Sequence, residues 1–117
     1  MFITIMKSKI HNATVTQADL HYEGSITIDE ELMEHAQIYA GERVQIVNLN
    51  NGERLETYTI TGERGSGIIG MNGPAALKCE TGHKIHIISY ALLEANKVDK
   101  FDSIVLFLDE HNAIKEK

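Results

Sequence analysis

The chain is poor in cysteine, in positive charge and in long apolar runs. Its single cysteine, Cys79, cannot form an internal disulfide, so nothing in the sequence calls for an oxidising compartment. Lysine and arginine number 11 against 17 aspartates and glutamates, a formal net charge of −6. That balance argues against a sequence-independent grip on nucleic acid, which depends on cations neutralising phosphates. An anionic substrate stays allowed, because global repulsion is screened within about 8 Å at physiological salt. Its site must then carry its own cations. The longest unbroken apolar run, Ile104 to Leu108, is far short of the roughly 20 residues that span a bilayer. Near the start, apolar Phe2 to Met6 precede Lys7 and Lys9, the reverse of the order in a secretory signal. The expectation is a cytoplasmic protein with no membrane span.

With 117 residues, 43% hydrophobic and 24% charged, the chain suits one domain, residues 1–117. Such a domain buries only about 65% of the surface its unfolded chain exposes, so help from self-association is expected. Short strands separated by turn signals dominate. Phe2 to Met6 and Ile10 to Thr16 are β-branched and partly alternating, which predicts two strands. Ser25 to Ile28 predicts another, followed by Asp29 as the N-cap of a helix with Glu30 and Glu31 in its first turn. Leu32, Ala36 and Tyr39 would share one face of that helix, with Gly41 as its stop. Val44 to Leu49 and Arg54 to Thr61 flank Asn51-Gly52, a strong hairpin signal. The stretch Gly62 to Gly67 turns the chain into Ile68 to Met71, and Pro74 opens a short helix through Cys79. Ile85 to Tyr90 and Ile104 to Leu108 complete the strands. Asn96 to Asp102 and the tail after Asp109 read as polar and exposed.

Gly41-Glu42-Arg43-Val44-Gln45-Ile46-Val47-Asn48 aligns with Gly82-His83-Lys84-Ile85-His86-Ile87-Ile88-Ser89, each copy following a helix and opening a strand. Two copies are too few for a solenoid. Two β-α-β halves closing on each other into a pseudo-twofold barrel leave no long sheet edges.

Gly24-Ser25 alone reads as an ordinary turn. Its surroundings change that reading. The run Ala18-Asp19-Leu20-His21-Tyr22-Glu23-Gly24-Ser25-Ile26-Thr27-Ile28-Asp29 resembles the processing segment of the bacterial, pyruvoyl-dependent aspartate decarboxylases. Lys7-Ser8-Lys9-Ile10-His11, Asn51-Gly52-Glu53-Arg54-Leu55-Glu56-Thr57-Tyr58, Glu63-Arg64-Gly65-Ser66 and Asn72-Gly73-Pro74-Ala75-Ala76 match that family in order and spacing. Several separated motifs in register are specific where one would be weak. The match reaches about Tyr90 and fades beyond it.

The resemblance implies a mainly β fold, a six-stranded double-psi β-barrel with short helices, assembled as a homotetramer with sites between protomers. It implies self-cleavage between Gly24 and Ser25 into residues 1–24 and 25–117, with Ser25 becoming a pyruvoyl group. No pyridoxal phosphate and no metal would be needed. The activity implied is decarboxylation of L-aspartate to β-alanine and CO2 through a Schiff base, supplying pantothenate and coenzyme A synthesis. Gly24 suits cleavage because a missing Cβ opens its carbonyl and tolerates strained backbone. The resemblance gives Thr57 the oxyanion-stabilising hydroxyl and a place at the substrate. It gives Tyr58 the proton returned to Cα, a task that suits a group of ordinary pKa about 10. Arg54 would clamp a carboxylate with its planar fork, and Lys9 would add a second cation. Asn72, Gly73, Pro74 and Ala75 would contact substrate. Pro74 departs from the alanine common in the family and removes one backbone N–H. The need for an accessory maturation factor stays open, as do roles for His11 and Tyr22.

Plainer readings stand beside these. Arg54 could pair on the surface with Glu53 or Glu56, and Tyr58 could be a core aromatic. Cys79-x3-His83-x2-His86 has superficial metal-ligand spacing, but strand alternation would send the two histidines to opposite faces, and no second ligand cluster accompanies them. Solvated strand-end histidines are the simpler account. A non-catalytic barrel acting as a binding module is the rival function, and it would keep its chain intact.

Overall fold

The computed structural model describes residues 1–115, so Glu116 and Lys117 of the tail lie outside the described residues. The strands are β1 (Phe2–Thr14), β2 (Gln17–Asp19), β3 (Ser25–Asp29), β4 (Arg43–Asn48), β5 (Arg54–Gly62), β6 (Ile69–Asn72), β7 (Lys84–Glu94), β8 (Ile104–Leu108) and β9 (Ile114–Lys115). One α-helix, α1 (Glu30–Ala36), and 3-10 turns at Gly73–Leu77 and Ala95–Lys100 interrupt them. The sheet order is β2-β6-β3-β5-β4-β7-β1-β8-β9. Because β1 runs on through Val15 and Thr16 into β2, the order closes on itself. Thr16 N–H donates to the Ile69 carbonyl at 2.9 Å, across the seam. Six strands make the barrel, with β1 and β2 acting as one, while β8 and β9 lie outside the ring. Closure removes the free edges of those six strands.

The internal repeat is a true axis of pseudo-symmetry. Ile46 and Ile87, equivalent in the aligned octapeptides, are direct partners in the antiparallel β4-β7 ladder. Each half meets a long strand in the same way. Val15 N–H donates to His83 O while Gly82 N–H donates to Val15 O, at 2.9 and 2.8 Å. In the other half Thr59 N–H donates to Glu42 O and Gly41 N–H to Thr59 O, at 3.1 and 2.9 Å. Beyond these crossings β5 changes from antiparallel pairing with β4 to parallel pairing with β3. The β1-β2 strand likewise leaves β7 for parallel pairing with β6. This double crossing is the double-psi arrangement.

Alternation fills the barrel. Ile10, Ile26, Ile28, Ile46, Ile69, Ile85 and Ile87 are fully buried, each contributing about 1.5–3 kcal/mol by leaving water. Since β3 turns Ile26 and Ile28 inward, period-two geometry sends Ser25 and Thr27 to its other face.

Several expectations are corrected. The two N-terminal strands are one, bent by register shifts between Met6 and Ser8 and between Ile10 and Ala13. Bulges supply the bend that curves a long strand around a barrel. Helix α1 ends early, at a left-handed Gln37 with φ 55° whose N–H bonds to Glu34 O and Met33 O. Tyr39 therefore lies past the helix and is exposed, with Lys7 Nζ 5.4 Å from its ring centre. That ammonium also grips both Glu42 oxygens at 2.8 Å. The tail after Asp109 is not simply exposed. Asn112 is buried, accepts from Thr14 N–H and donates to the Thr14 and Gly67 carbonyls. A β-carbon at Gly67 would lie 2.7 Å from the His111 carbonyl oxygen, so the tail packs directly on the glycine-rich loop.

Candidate active site

The register of β3 against β6 sets Ser25 opposite Asn72. Both are buried. Asn72 Nδ2 donates to Ser25 Oγ and to Thr27 Oγ1, each at 2.9 Å. Ser25 Oγ donates in turn to the Glu23 carbonyl at 3.4 Å, longer than a well-formed O–H···O bond. The hydroxyl is thus firmly held from one side and loosely from the other.

Gly73 follows Asn72 with φ 69°. A β-carbon there would fall 2.8 Å from Gly24 Cα and 2.9 Å from both Gly24 N and Tyr22 O. Only glycine permits this approach, so Gly73 presses the segment before Ser25 into place. Gly24 itself departs from expectation. Its φ is not left-handed, and an added β-carbon would meet only Pro74 Cδ, at 3.8 Å. Room beside its carbonyl, rather than backbone strain, is what glycine provides here.

A cleft of about 390 Å³ opens beside this segment. Gly24 lies on one wall, Thr57 and Tyr58 of β5 on another, and Pro74 and Ala75 of the 3-10 turn on a third. Among the described residues neither the Thr57 nor the Tyr58 hydroxyl has a hydrogen-bond partner, and Tyr58 is exposed rather than a core aromatic. Arg54 shares the Tyr58 face of β5 by strand alternation. Both acids that could have paired with it are engaged elsewhere: Glu53 with Lys78 at 3.0 Å and Glu56 with Arg43 at 2.9 Å. Arg54 makes no ion pair among the described residues.

Two further expectations separate. Pro74 opens the 3-10 turn, where its missing N–H costs nothing. Lys9, in contrast, does not line the cleft; it sits in β1 opposite Ile88 and Val105. Lys78 does line it and was missed, although its place one turn after Pro74 on the same segment was a usable signal.

Lys9 instead neighbours an aromatic cluster. His11 and His86 stack with ring centres 4.0 Å apart, and His11 also meets Phe107 at 5.2 Å. His86 is therefore no solvated strand-end residue. Burial first, then the charges of His11 and Lys9, lower its pKa to about 4. The Asn12 N–H donates to its Nδ1 at 3.1 Å, which requires that nitrogen unprotonated. Burial and Lys9 lower His11 as well. His83 faces other surroundings, with Nδ1 2.9 Å from Asn48 Nδ2. Burial raises the Cys79 thiol pKa, and no group of three His, Cys, Asp or Glu side chains converges among the described residues. Among the described residues no helix is long and apolar enough to cross a membrane.

A wider cavity, about 730 Å³, lies elsewhere, between α1, Gly65 to Gly67 and the tail. It holds none of the site residues expected from sequence. Its Asp29 carboxylate is already satisfied by the N–H groups of Glu31, Gly65 and Gly67.

Fold and site together define a small β-barrel whose cleft opens at Gly24, next to the buried Ser25, and is walled by the unengaged hydroxyls of Thr57 and Tyr58, while the unpaired Arg54 sits on the same strand outside the lining. A family model described as aspartate decarboxylase matches residues 1–115. A protein named aspartate 1-decarboxylase from Carboxydothermus hydrogenoformans is 58% identical over 100% of this chain and 94% of its own. One of the same name from Acetivibrio thermocellus is 57% identical over 97% and 90%. Among solved structures, a rationally designed protein aligns with 68% of this chain and 91% of its own at 14% identity and a TM-score of 0.48. The chain belongs to the aspartate decarboxylase family.

Proposed function

We propose that this chain removes the α-carboxylate of L-aspartate, giving β-alanine for pantothenate and coenzyme A synthesis, with a ketone made from its own Ser25. Full-length kinship to named decarboxylases supports the activity and sets aside the non-catalytic barrel module. The observation that carries the self-made ketone is the buried Ser25 hydroxyl, held by Asn72 directly after a glycine that borders the cleft.

In the proposed maturation, Ser25 Oγ attacks the Gly24 carbonyl carbon. The C–N bond breaks, the hydroxyl proton passes to the Ser25 nitrogen, and an ester replaces the amide. Loss of the Ser25 Cα proton then breaks the Cβ–O bond, freeing a Gly24 carboxylate and leaving dehydroalanine. Its tautomer takes up water and releases ammonia. Residues 1–24 and 25–117 result, the latter starting with a pyruvoyl group. Thr57, unengaged on the cleft wall, supplies a donor for the oxyanion formed at Gly24.

The surrounding residues fit such a group: Asn72 brings a donor to 2.9 Å from the Ser25 side chain, and Gly73 keeps the adjoining backbone free of side chains. Bound there, the ketone supplies the electron sink for the pair left on Cα as CO2 departs. The chain's own residues do the rest. Arg54 holds the retained carboxylate by two parallel hydrogen bonds, orienting the bond that breaks. Tyr58 delivers the proton to Cα. Pro74 and Ala75 contact the substrate from the third wall, Asn72 and Gly73 from the segment just before it, and Thr57 does so from β5. Lys9 reaches the site from a neighbouring protomer of a cytoplasmic homotetramer, which accounts for its place away from the cleft of its own chain. An accessory factor would act on the rate of maturation.

Ser25→Ala tests the assignment. It should remain one uncut chain with no aspartate turnover, and turnover at the parent rate would overturn it.

A further inference from the structure

Thr27 lies two residues beyond Ser25 on the same face of β3, and its hydroxyl oxygen accepts the second N–H of the amide that holds Ser25. An amide bound by one hydrogen bond alone can swing about its terminal torsion, which is broad and roughly two-fold. Bound by both, Asn72 has its plane and its direction fixed, with Nδ2 rather than Oδ1 towards Ser25.

Thr27 is itself locked. A β-carbon on Gly62 would fall 2.9 Å from Thr27 Cγ2 and 2.5 Å from Ile68 Cγ2, so the Thr27 methyl occupies the space left by that glycine. Opposite Thr27 in the β3-β6 ladder stands Gly70, again without a side chain. With its methyl seated against Gly62, the threonine rotamer directs its hydroxyl at Asn72. A chain of contacts runs from Gly62 through Thr27 and Asn72 to Ser25 Oγ.

We infer that Thr27 is a positioning residue for self-cleavage, acting through Asn72 to hold the Ser25 hydroxyl in the rotamer that reaches the Gly24 carbonyl. This rests on the maturation proposed above. Attack closes a five-membered ring through Oγ, Cβ, Cα, N and the Gly24 carbonyl carbon, so the Ser25 χ1 angle decides whether the reacting atoms can meet. Restricting that angle raises the reactive population, and Thr27 does so through Asn72 without itself touching the reacting atoms. The bond made and the bond broken are those already given, Oγ–C formed and C–N cleaved, with the proton ending on nitrogen.

Two substitutions separate the hydroxyl from the shape. Thr27→Val keeps the methyl against Gly62 and removes the acceptor; Thr27→Ser keeps the acceptor. The readout is the fraction of uncut chain against time after purification, followed by intact mass. Cleavage of Thr27→Val should be about tenfold slower, the effect of losing one such hydrogen bond, while Thr27→Ser stays close to the parent. Thr27→Ala should be as slow as valine, which guards against strain from the valine side chain. Valine and alanine variants that cleave at the parent rate would overturn the inference, as would a serine variant as slow as valine. If the parent chain itself never cleaves, the maturation fails instead, and the two failures are distinct.

Discussion

At the scale of single residues, the site is defined by groups left without local partners. Arg54 stands next to Glu53 and two residues from Glu56, yet Lys78 and Arg43 take those acids. A guanidinium left unpaired in this way keeps its planar fork free for a carboxylate, the role proposed for it above. Tyr58 likewise keeps its hydroxyl free at the cleft wall. Replacing it by phenylalanine should leave maturation intact and lower kcat for aspartate by about 10²-fold or more, the usual scale for a positioned acid. Steady-state assay of fully cleaved protein checks this, and an unchanged kcat would remove Tyr58 from the proton path. These residues stood out in sequence because Asn-Gly-Glu-Arg sits in a motif with its own spacing. Which neighbours would compete for Arg54 was not, since Arg43 and Lys78 reach its acids only through the fold.

Among elements, β1 and β7 hold the stacked pair His11 and His86. The bulge between Ile10 and Ala13 puts Asn12 in a left-handed conformation, φ 61°, and aims its N–H at His86. No residue pattern announced that bulge, so a single strand read as two and His86 read as solvated. The pairing has a pH signature. His86 titrates at about 4 in the fold against 6.5 when free, so between those values the unfolded chain binds the proton first. Its contribution to stability is complete above about pH 6.5 and is lost as pH falls towards 4. His86→Phe keeps an aromatic ring on His11 and abolishes this titration. Its unfolding temperature should decline less steeply than the parent's over the same pH range in a thermal melt series. Equal slopes would show that His86 is not held neutral. By contrast, β4, β5, β6 and β8 followed directly from alternation and turn chemistry. Helix α1 was found but overextended, because a left-handed Gln37 ended it where only Gly41 looked able to.

The whole molecule explains why one short chain can build this site. Two related halves cross two long strands, and the octapeptide repeat foretold that symmetry because Ile46 and Ile87 had to occupy equivalent places. The halves are alike in backbone and different in side chains. One supplies β3 with Ser25, and the other supplies β6 with Asn72 and Gly73, so Ser25 and Asn72 come together only where the halves meet. The tail, unassigned by sequence, is tied to β1 and to the glycine-rich loop through Asn112, a buried contact of long sequence separation that local pattern could not disclose. Lys9, in β1 opposite Ile88 and Val105, lies away from the cleft of its own chain, and its proposed place at the substrate rests on the proposed tetramer.

The most direct test of the central claim is the intact mass of purified, matured protein. Two species should appear: one ending with a free carboxylate at Gly24, and one beginning at position 25 with a ketone in place of the amine. An uncut chain that turns over aspartate, or a fragment at position 25 that retains its amino group and full activity, would contradict it.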